Sequence, residues 1–246
     1  MAIYVCSDIH GRYDRYKKLL ERLNLSETDK LYILGDAIDR NGNGGIDILQ
    51  DLVNRSNVQL ILGNHEMFMI DCVSYFISIS EKGLKYDYYA NAETWFSPNN
   101  GGRVTFDSFM KLDVETQSSI FDYLLNCPLI KVVSIGDKLI HLSHACTVDN
   151  IEKDIYKLGD VSDKEAFDIV WKTPLRRDRM YAKESRYRED FTYITGHVPI
   201  QNFTDKIAFV RYRNIIDIDC GCALGDELEN RLGCLCLDTQ EEFFID

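Results

Sequence analysis

Apolar residues in the first sixty positions follow two periods. Residues 3–6, 31–34 and 58–62 are short apolar runs of the length of buried strands. Tyr13, Tyr16, Leu19, Leu20 and Leu23 instead recur at the three-and-four spacing of an amphipathic helix, and residues 46–53 read as a second helix. A Gly/Asn-rich loop over 36–45 separates strand from helix. Successive strand–loop–helix units predict parallel strands with helices packed on the sheet.

From about 66 to 126 the pattern turns helical: 67–79 is apolar, 87–96 is aromatic-rich and 104–125 shows recurrent apolar positions, with 97–102 as a loop. Tyr86, Tyr88, Tyr89, Trp95 and Phe96 either form a small helical subcore or line a groove; packing is the favoured reading because helical aromatics usually face other helices. After Pro128 strands return at 130–135, 138–143, 192–195, 207–211, 215–218, 233–237 and 242–245, and Gly136-Asp137 marks a hairpin. A second, largely antiparallel sheet follows. The predicted fold is therefore α/β, two sheets face to face with helices outside, in a single domain over 1–246 carrying a helical insertion at about 66–126.

Chemistry collects where the strands end. Five blocks, Ser7-Asp8-Ile9-His10-Gly11, Gly35-Asp36-Ala37-Ile38-Asp39-Arg40, Gly63-Asn64-His65-Glu66, Ser143-His144-Ala145 and Gly196-His197-Val198-Pro199, contain four of the five histidines, and each follows an apolar run. A strand delivers its last side chain to a fixed point, and open α/β sheets bind ligands beyond the carboxyl ends of their strands. Carboxylate, imidazole and amide donors suit manganese, iron or zinc, and so many donors exceed the needs of one tetrahedral site with an open position. The layout predicts a hydrolase holding two divalent ions, with manganese the first expectation. The remaining histidine, His141, reads as a strand residue.

The five blocks resemble the phosphoprotein phosphatase family of metallophosphoesterases, with its D-x-H-G, G-D-x-x-D-R-G, G-N-H-E, H-A or H-G, and G-H-[TV]-P motifs in that order. The match runs from Asp8 to about Gly225, where Asp217-Ile218-Asp219-Cys220-Gly221-Cys222 is similar to the family's strand after the last histidine. The resemblance implies a two-sheet αββα sandwich. It also implies that Asp8, His10 and Asp36 hold one metal while Asp36, Asn64, His144 and His197 hold the other, with Asp36 bridging. It implies further that His65 protonates the leaving oxygen, Asp39 orients His65, and Arg40 and Asn64 contact the phosphoryl group. Asn41 stands where the family has Gly, and an Asn tolerates the left-handed backbone such a turn would need. Ser7 replaces a frequent Gly. The arginine that the family places after a Trp is not at its usual spacing behind Trp171; Arg176 and Arg177 are the candidates for it.

Net charge narrows the substrate. At −12 with a pI near 4.9 the chain repels phosphate backbones, which argues against nucleic acid polymers. Against this background 173–190 gathers Arg176, Arg177, Arg179, Lys183, Arg186 and Arg188, either a solvated helix face or a phosphate-gathering loop. No apolar run reaches the roughly 20 residues of a membrane span, and a cytoplasmic protein without membrane partners is expected. Eight cysteines then read as reduced thiols. Cys220/Cys222 and Cys234/Cys236 point each pair to one side of a strand, which leaves open a four-sulfur zinc site beside plain core packing.

Two substrate readings share all five motifs. The leading one is a phosphomonoesterase acting on phosphoserine or phosphothreonine in proteins; the alternative is symmetrical hydrolysis of diadenosine tetraphosphate, for which the 86–96 aromatics and 176–188 cations offer stacking and phosphate contacts. A silent phosphate-binding module is a third reading, disfavoured because no motif residue is missing.

Overall fold

The structure is a computed structural model that describes residues 1–77, 88–176, 179–180, 187–204, 208–224 and 230–246. Strands β1 (Ile3–Cys6), β2 (Lys30–Leu34) and β3 (Val58–Ile61) lie parallel, joined through helices α1 (Tyr13–Leu23) and α2 (Ile46–Asn54). Helices α3 (Asn64–Ile77), α4 (Tyr88–Trp95), α5 (Gly102–Phe109) and α6 (Val114–Asn126) follow. Next come β4 (Pro128–Ile135), β5 (Lys138–Ser143), β6 (Ile155–Lys157), α7 (Asp163–Trp171), a ribbon of β7 (Leu175–Arg176) and β8 (Arg179–Met180), β9 (Phe191–Thr195), β10 (Val210–Tyr212), β11 (Ile215–Asp217), β12 (Leu232–Cys236) and β13 (Glu242–Ile245). One sheet runs β13-β12-β1-β2-β3 and the other β10-β11-β9-β5-β4-β6.

Strand alternation builds the layers. Ile3, Val5, Tyr32, Leu34 and Leu235 face Ile140, Leu142, Ile194 and Ile216 of the other sheet in one buried core. Cys6, Leu31, Ile33 and Leu60 point the opposite way, into a second core with Leu19 of α1, Leu49 of α2, Met69 of α3 and Leu124 of α6. Among the described residues, the outer face of the second sheet, with Val132, Tyr193 and Ile215, is covered by Leu175 and Tyr187. The two-sheet α/β sandwich is as the pattern predicts.

Several elements differ from expectation. The final strands β12 and β13 join the first sheet instead of the second: β12 runs antiparallel to β1, with Cys6 opposite Cys234 and the Leu237 N–H donating to the Ile3 carbonyl at 2.7 Å. Their apolar alternation fits either sheet, and only this pairing decides between them. The second sheet is mixed, because β5, β9 and β11 are parallel. The 104–125 pattern divides where Asp113 caps α6 by accepting from the Thr116 N–H at 2.8 Å. Helix α7 lies outside the predicted elements, although Ser162 and Glu165 form a capping box whose Ser-x-x-Glu spacing is legible in the chain. Within 173–190, Leu175–Arg176 and Arg179–Met180 form a two-stranded ribbon, while Lys183 and Arg186 lie outside the described residues. No described helix is long and apolar enough to cross a membrane.

Candidate metal centre

The parallel strands bring their carboxyl ends, and the polar blocks that follow, to one place. Asp8 and His10 come from the loop after β1, Asp36, Asp39 and Arg40 from that after β2, Asn64 and His65 from the start of α3, His144 from β5 and His197 from β9. Backbone bonds lace these loops together: Asp8 N–H to Gly35 carbonyl (3.1 Å), His10 N–H to Asp36 carbonyl (2.9 Å) and Gly196 N–H to His144 carbonyl (2.8 Å). Of the nine non-glycine residues with positive φ among those described, six are Asp8, His10, Asp36, Asp39, Arg40 and His197. Such conformations cost on the order of 1 kcal/mol or more each and collect where a site dictates side-chain direction.

The tautomers are set from behind. The His10 Nδ1–H donates to the Ile38 carbonyl at 3.1 Å, which turns Nε2 toward Asp36 Oδ2 (3.6 Å) and Asp8 Oδ1 (4.0 Å). The His144 Nδ1–H donates to the Leu34 carbonyl at 2.7 Å, and its Nε2 lies 3.0 Å from Asn64 Oδ1, 3.1 Å from His197 Nδ1 and 3.4 Å from Asp36 Oδ1. The two oxygens of Asp36 therefore face opposite halves of the cluster. Two groups of atoms converge, Asp36 with His10 and His65, and Asp36 with His144 and His197. Imidazoles anchored through one nitrogen with the other aimed at a common point are the arrangement of metal ligands.

Electrostatics describe the same cluster. Burial alone would raise the Asp36 carboxyl, but the facing His144 and His65 outweigh it and hold Asp36 well below the usual carboxylate range. Burial, reinforced by neighbouring Asp36, pushes Asp8 up. Burial opposes charge on His144, yet the Asp36 carboxylate raises it, whereas burial and the proximity of His144 push His197 down to about 3. Asp8 Oδ1 is buried with no hydrogen-bond partner. An orphaned carboxylate oxygen, an ionised aspartate and imidazole nitrogens aimed at common points fit divalent ions, which would satisfy the oxygen and take the nitrogen lone pairs.

His65 sits at the edge of this set. Its Nδ1 lies 2.5 Å from Asp39 Oδ2, and its Nε2 lies 3.6 Å from Asp36 Oδ2 and 3.5 Å from Arg40 Nη2. Burial opposes its charge, but Asp36 and Asp39 raise its pKa above the ordinary value. Arg40 is exposed at the rim. Asp39 is fully buried and also accepts from Trp95 Nε1 at 2.6 Å and from the Thr105 hydroxyl. Both donors escaped the sequence reading, for they lie 56 and 66 positions from Asp39 with no local signal. Trp95 is thus a packed subcore residue with a polar task, stacked on Phe96.

Two further residues hold the frame. Glu66 is buried, and its carboxylate accepts from the Asp36, Ala37 and Gly63 N–H groups, each at 2.9 Å, clamping the β2 and β3 loops together. The Ser7 hydroxyl donates to Asp8 Oδ2, which also accepts from the His197 N–H at 3.0 Å. Asn41 keeps the turn differently from expectation. It has no positive φ; Asp39 (+76°) and Arg40 (+67°) take the left-handed positions instead, and the Asn41 side-chain amide donates to the His10 carbonyl at 2.9 Å.

Other predicted site elements separate. Arg177, Tyr86 and the side chains of Arg176, Tyr88 and Tyr89 lie outside the described residues. His141 is buried in β5, as read, 2.9 Å from the Thr147 hydroxyl. The two Cys-x-Cys pairs do not converge: Cys222 and Cys234 pack in the helix-side core and Cys220 between the sheets, and the metal-type groups among the described residues contain no sulfur.

The calcineurin-like phosphoesterase family matches residues 1–227. A symmetrical bis(5'-nucleosyl)-tetraphosphatase of Buchnera aphidicola is 28% identical over 160 residues, covering 61% of this chain and 57% of that protein, so the match spans little more than half of the relative's length. A solved structure described provisionally as a diadenosine tetraphosphatase aligns with a TM-score of 0.64 at 15% identity, covering 99% of this chain and 92% of the other. A protein serine/threonine phosphatase from Saccharomyces cerevisiae aligns at 0.55 and 15%, covering 97% and 73%. At such identities the two structures show the shared fold. The chain belongs to the calcineurin-like phosphoesterase family.

Proposed function

We propose that this calcineurin-like phosphoesterase hydrolyses dinucleoside tetraphosphates symmetrically, the alternative of the two substrate readings. The supporting observation is the name carried by its curated relatives, symmetrical bis(5'-nucleosyl)-tetraphosphatase. The metal centre alone does not discriminate, because a phosphoserine and a polyphosphate present the same phosphoryl oxygens to it.

In this reading Asp8, His10 and Asp36 would hold one divalent ion and Asp36, Asn64, His144 and His197 the other, an oxygen-and-imidazole set suited to manganese, iron or zinc. When bound, such a pair supplies Lewis-acid activation of water and neutralises phosphoryl charge. Asp36 would serve both ions, since its two oxygens face the two halves of the cluster. Arg40, exposed at the rim with its guanidinium beside His65, offers a planar fork to the phosphoryl oxygens. Asp39 accepts from the His65 Nδ1–H and favours the imidazolium, whose Nε2–H then passes its proton to the oxygen that leaves phosphorus. Water adds its oxygen to an inner phosphorus, the central P–O–P bond breaks, and two nucleoside diphosphates result.

The test compares diadenosine tetraphosphate with a phosphoserine peptide on manganese-loaded protein. Adenosine diphosphate as sole product, at a kcat/KM well above that for the peptide, is the expected result. Preference for the peptide, or asymmetric products, would sink this assignment.

A further inference from the structure

An aromatic surface runs from the metal centre to solvent. Phe68 meets His65 edge-on at 6.3 Å, and Trp171 meets Phe68 edge-on at 5.7 Å and lies 5.8 Å from the His197 ring. Phe167, one turn earlier on α7, stacks on Trp171 at 5.6 Å with 16° between the planes. Phe68 is buried, Trp171 half-buried, and Phe167 is 41% exposed.

A lone exposed phenylalanine is ordinary. This one differs because one face of its ring is already matched by a parallel indole, 41% of the residue is exposed, and the row of rings begins at two histidines of the centre. A flat ring arriving from solvent meets a ready surface for offset stacking. In a nucleotide, a ribose spaces the base from its phosphates, so a base seat belongs beside the metals and not among them. Stacking on phenylalanine and tryptophan reads a π-face and no hydrogen-bond pattern.

We propose that the Phe167–Trp171 stack seats a nucleobase of the substrate, with little discrimination between adenine and guanine. The proposal rests on the dinucleoside reading above and moves base recognition from the 86–96 aromatics to α7. The stack is a specificity surface; bond cleavage stays with the metal centre.

Phe167→Ala tests it, since the side chain is partly exposed and its removal leaves the helix cap untouched. Steady-state rates are measured on diadenosine tetraphosphate, on base-free tripolyphosphate and on a phosphotyrosine peptide. KM for the dinucleotide should rise about tenfold, and kcat and the tripolyphosphate KM should each stay within about twofold. Equal losses on dinucleotide and tripolyphosphate mean a structural role and overturn the proposal, as does an unchanged dinucleotide KM. Loss confined to the phosphotyrosine peptide overturns it too, by assigning the surface to an aromatic leaving group.

A binding measurement separates this idea from the reaction. The chain has two tryptophans, and Trp95 is fully buried, so contact quenching by a base arriving from solvent falls on Trp171 in the magnesium-loaded protein. Adenosine monophosphate should quench it and ribose 5-phosphate should not, with the quenching weakened about tenfold in Phe167→Ala. Selective quenching by a protein that leaves the tetraphosphate intact supports the base seat while removing the dinucleoside tetraphosphatase reading. Absence of quenching removes the seat alone.

Discussion

Asp39 receives three donors, from the imidazole of His65, the indole of Trp95 and the hydroxyl of Thr105. A fully buried carboxylate is costly unless so paired, and the arrangement leaves one orientation in which it can hold His65. Leaving-group chemistry gives this dyad a measurable signature. An alkoxide needs a proton more than a phosphate oxygen does, because it is the stronger base. His65→Ala should therefore cost a factor of about 10²–10⁴ in kcat on an alkyl phosphate and less on the dinucleotide, with metal content retained in both assays. Equal losses on the two substrates would remove His65 from the acid's role. The polar blocks that follow the strands single out His65 and Asp39 in the sequence, and the family resemblance implies their pairing. Trp95 and Thr105 are illegible because their partnership with Asp39 exists only after α4 and α5 have packed against the loop that follows β2.

At the scale of elements, the β-loop-α units do the positioning. Loops after β2 and β3 approach so closely that a Cβ on Gly63 would fall on Asp36 Oδ1 and close to the Asp36 N–H. Glu66 closes the same junction by collecting three N–H groups. Gly63→Ala is expected to displace Asp36 from the centre, seen as loss of at least half of the bound metal together with a lowered thermal midpoint; full metal content at an unchanged midpoint would show that the junction can relax. The first three strands and first two helices were readable from hydrophobic period because each buries one clear face. The last two strands were readable as strands but not by sheet, since alternation fixes a face and not a neighbour. Helix α7 hid behind the basic stretch that follows it, although its Ser162–Glu165 box marked its start.

For the whole molecule, acid sensitivity follows from an imidazole three residues from the centre. Burial pushes His141 down to about 3, against 6.5 for an ordinary histidine, so the folded protein keeps it neutral. Its contribution to stability is complete above about pH 6.5 and declines as pH falls toward 3, because only the unfolded chain takes up the proton. Wild type should lose roughly 1.4 kcal/mol per pH unit more than His141→Gln between about pH 6 and pH 4, measured by urea unfolding at each pH; parallel curves would contradict the assignment. A larger consequence lies in where the donors come from. Asp8, Asp36 and Asn64 belong to one sheet's loops and His144 and His197 to the other's. Bound ions would then act as rivets through both layers, so that sliding one layer past the other by an ångström would part the donors into two useless halves. Room for change in size and outline is left to the outer rims, at the edge strands β13, β10 and β6.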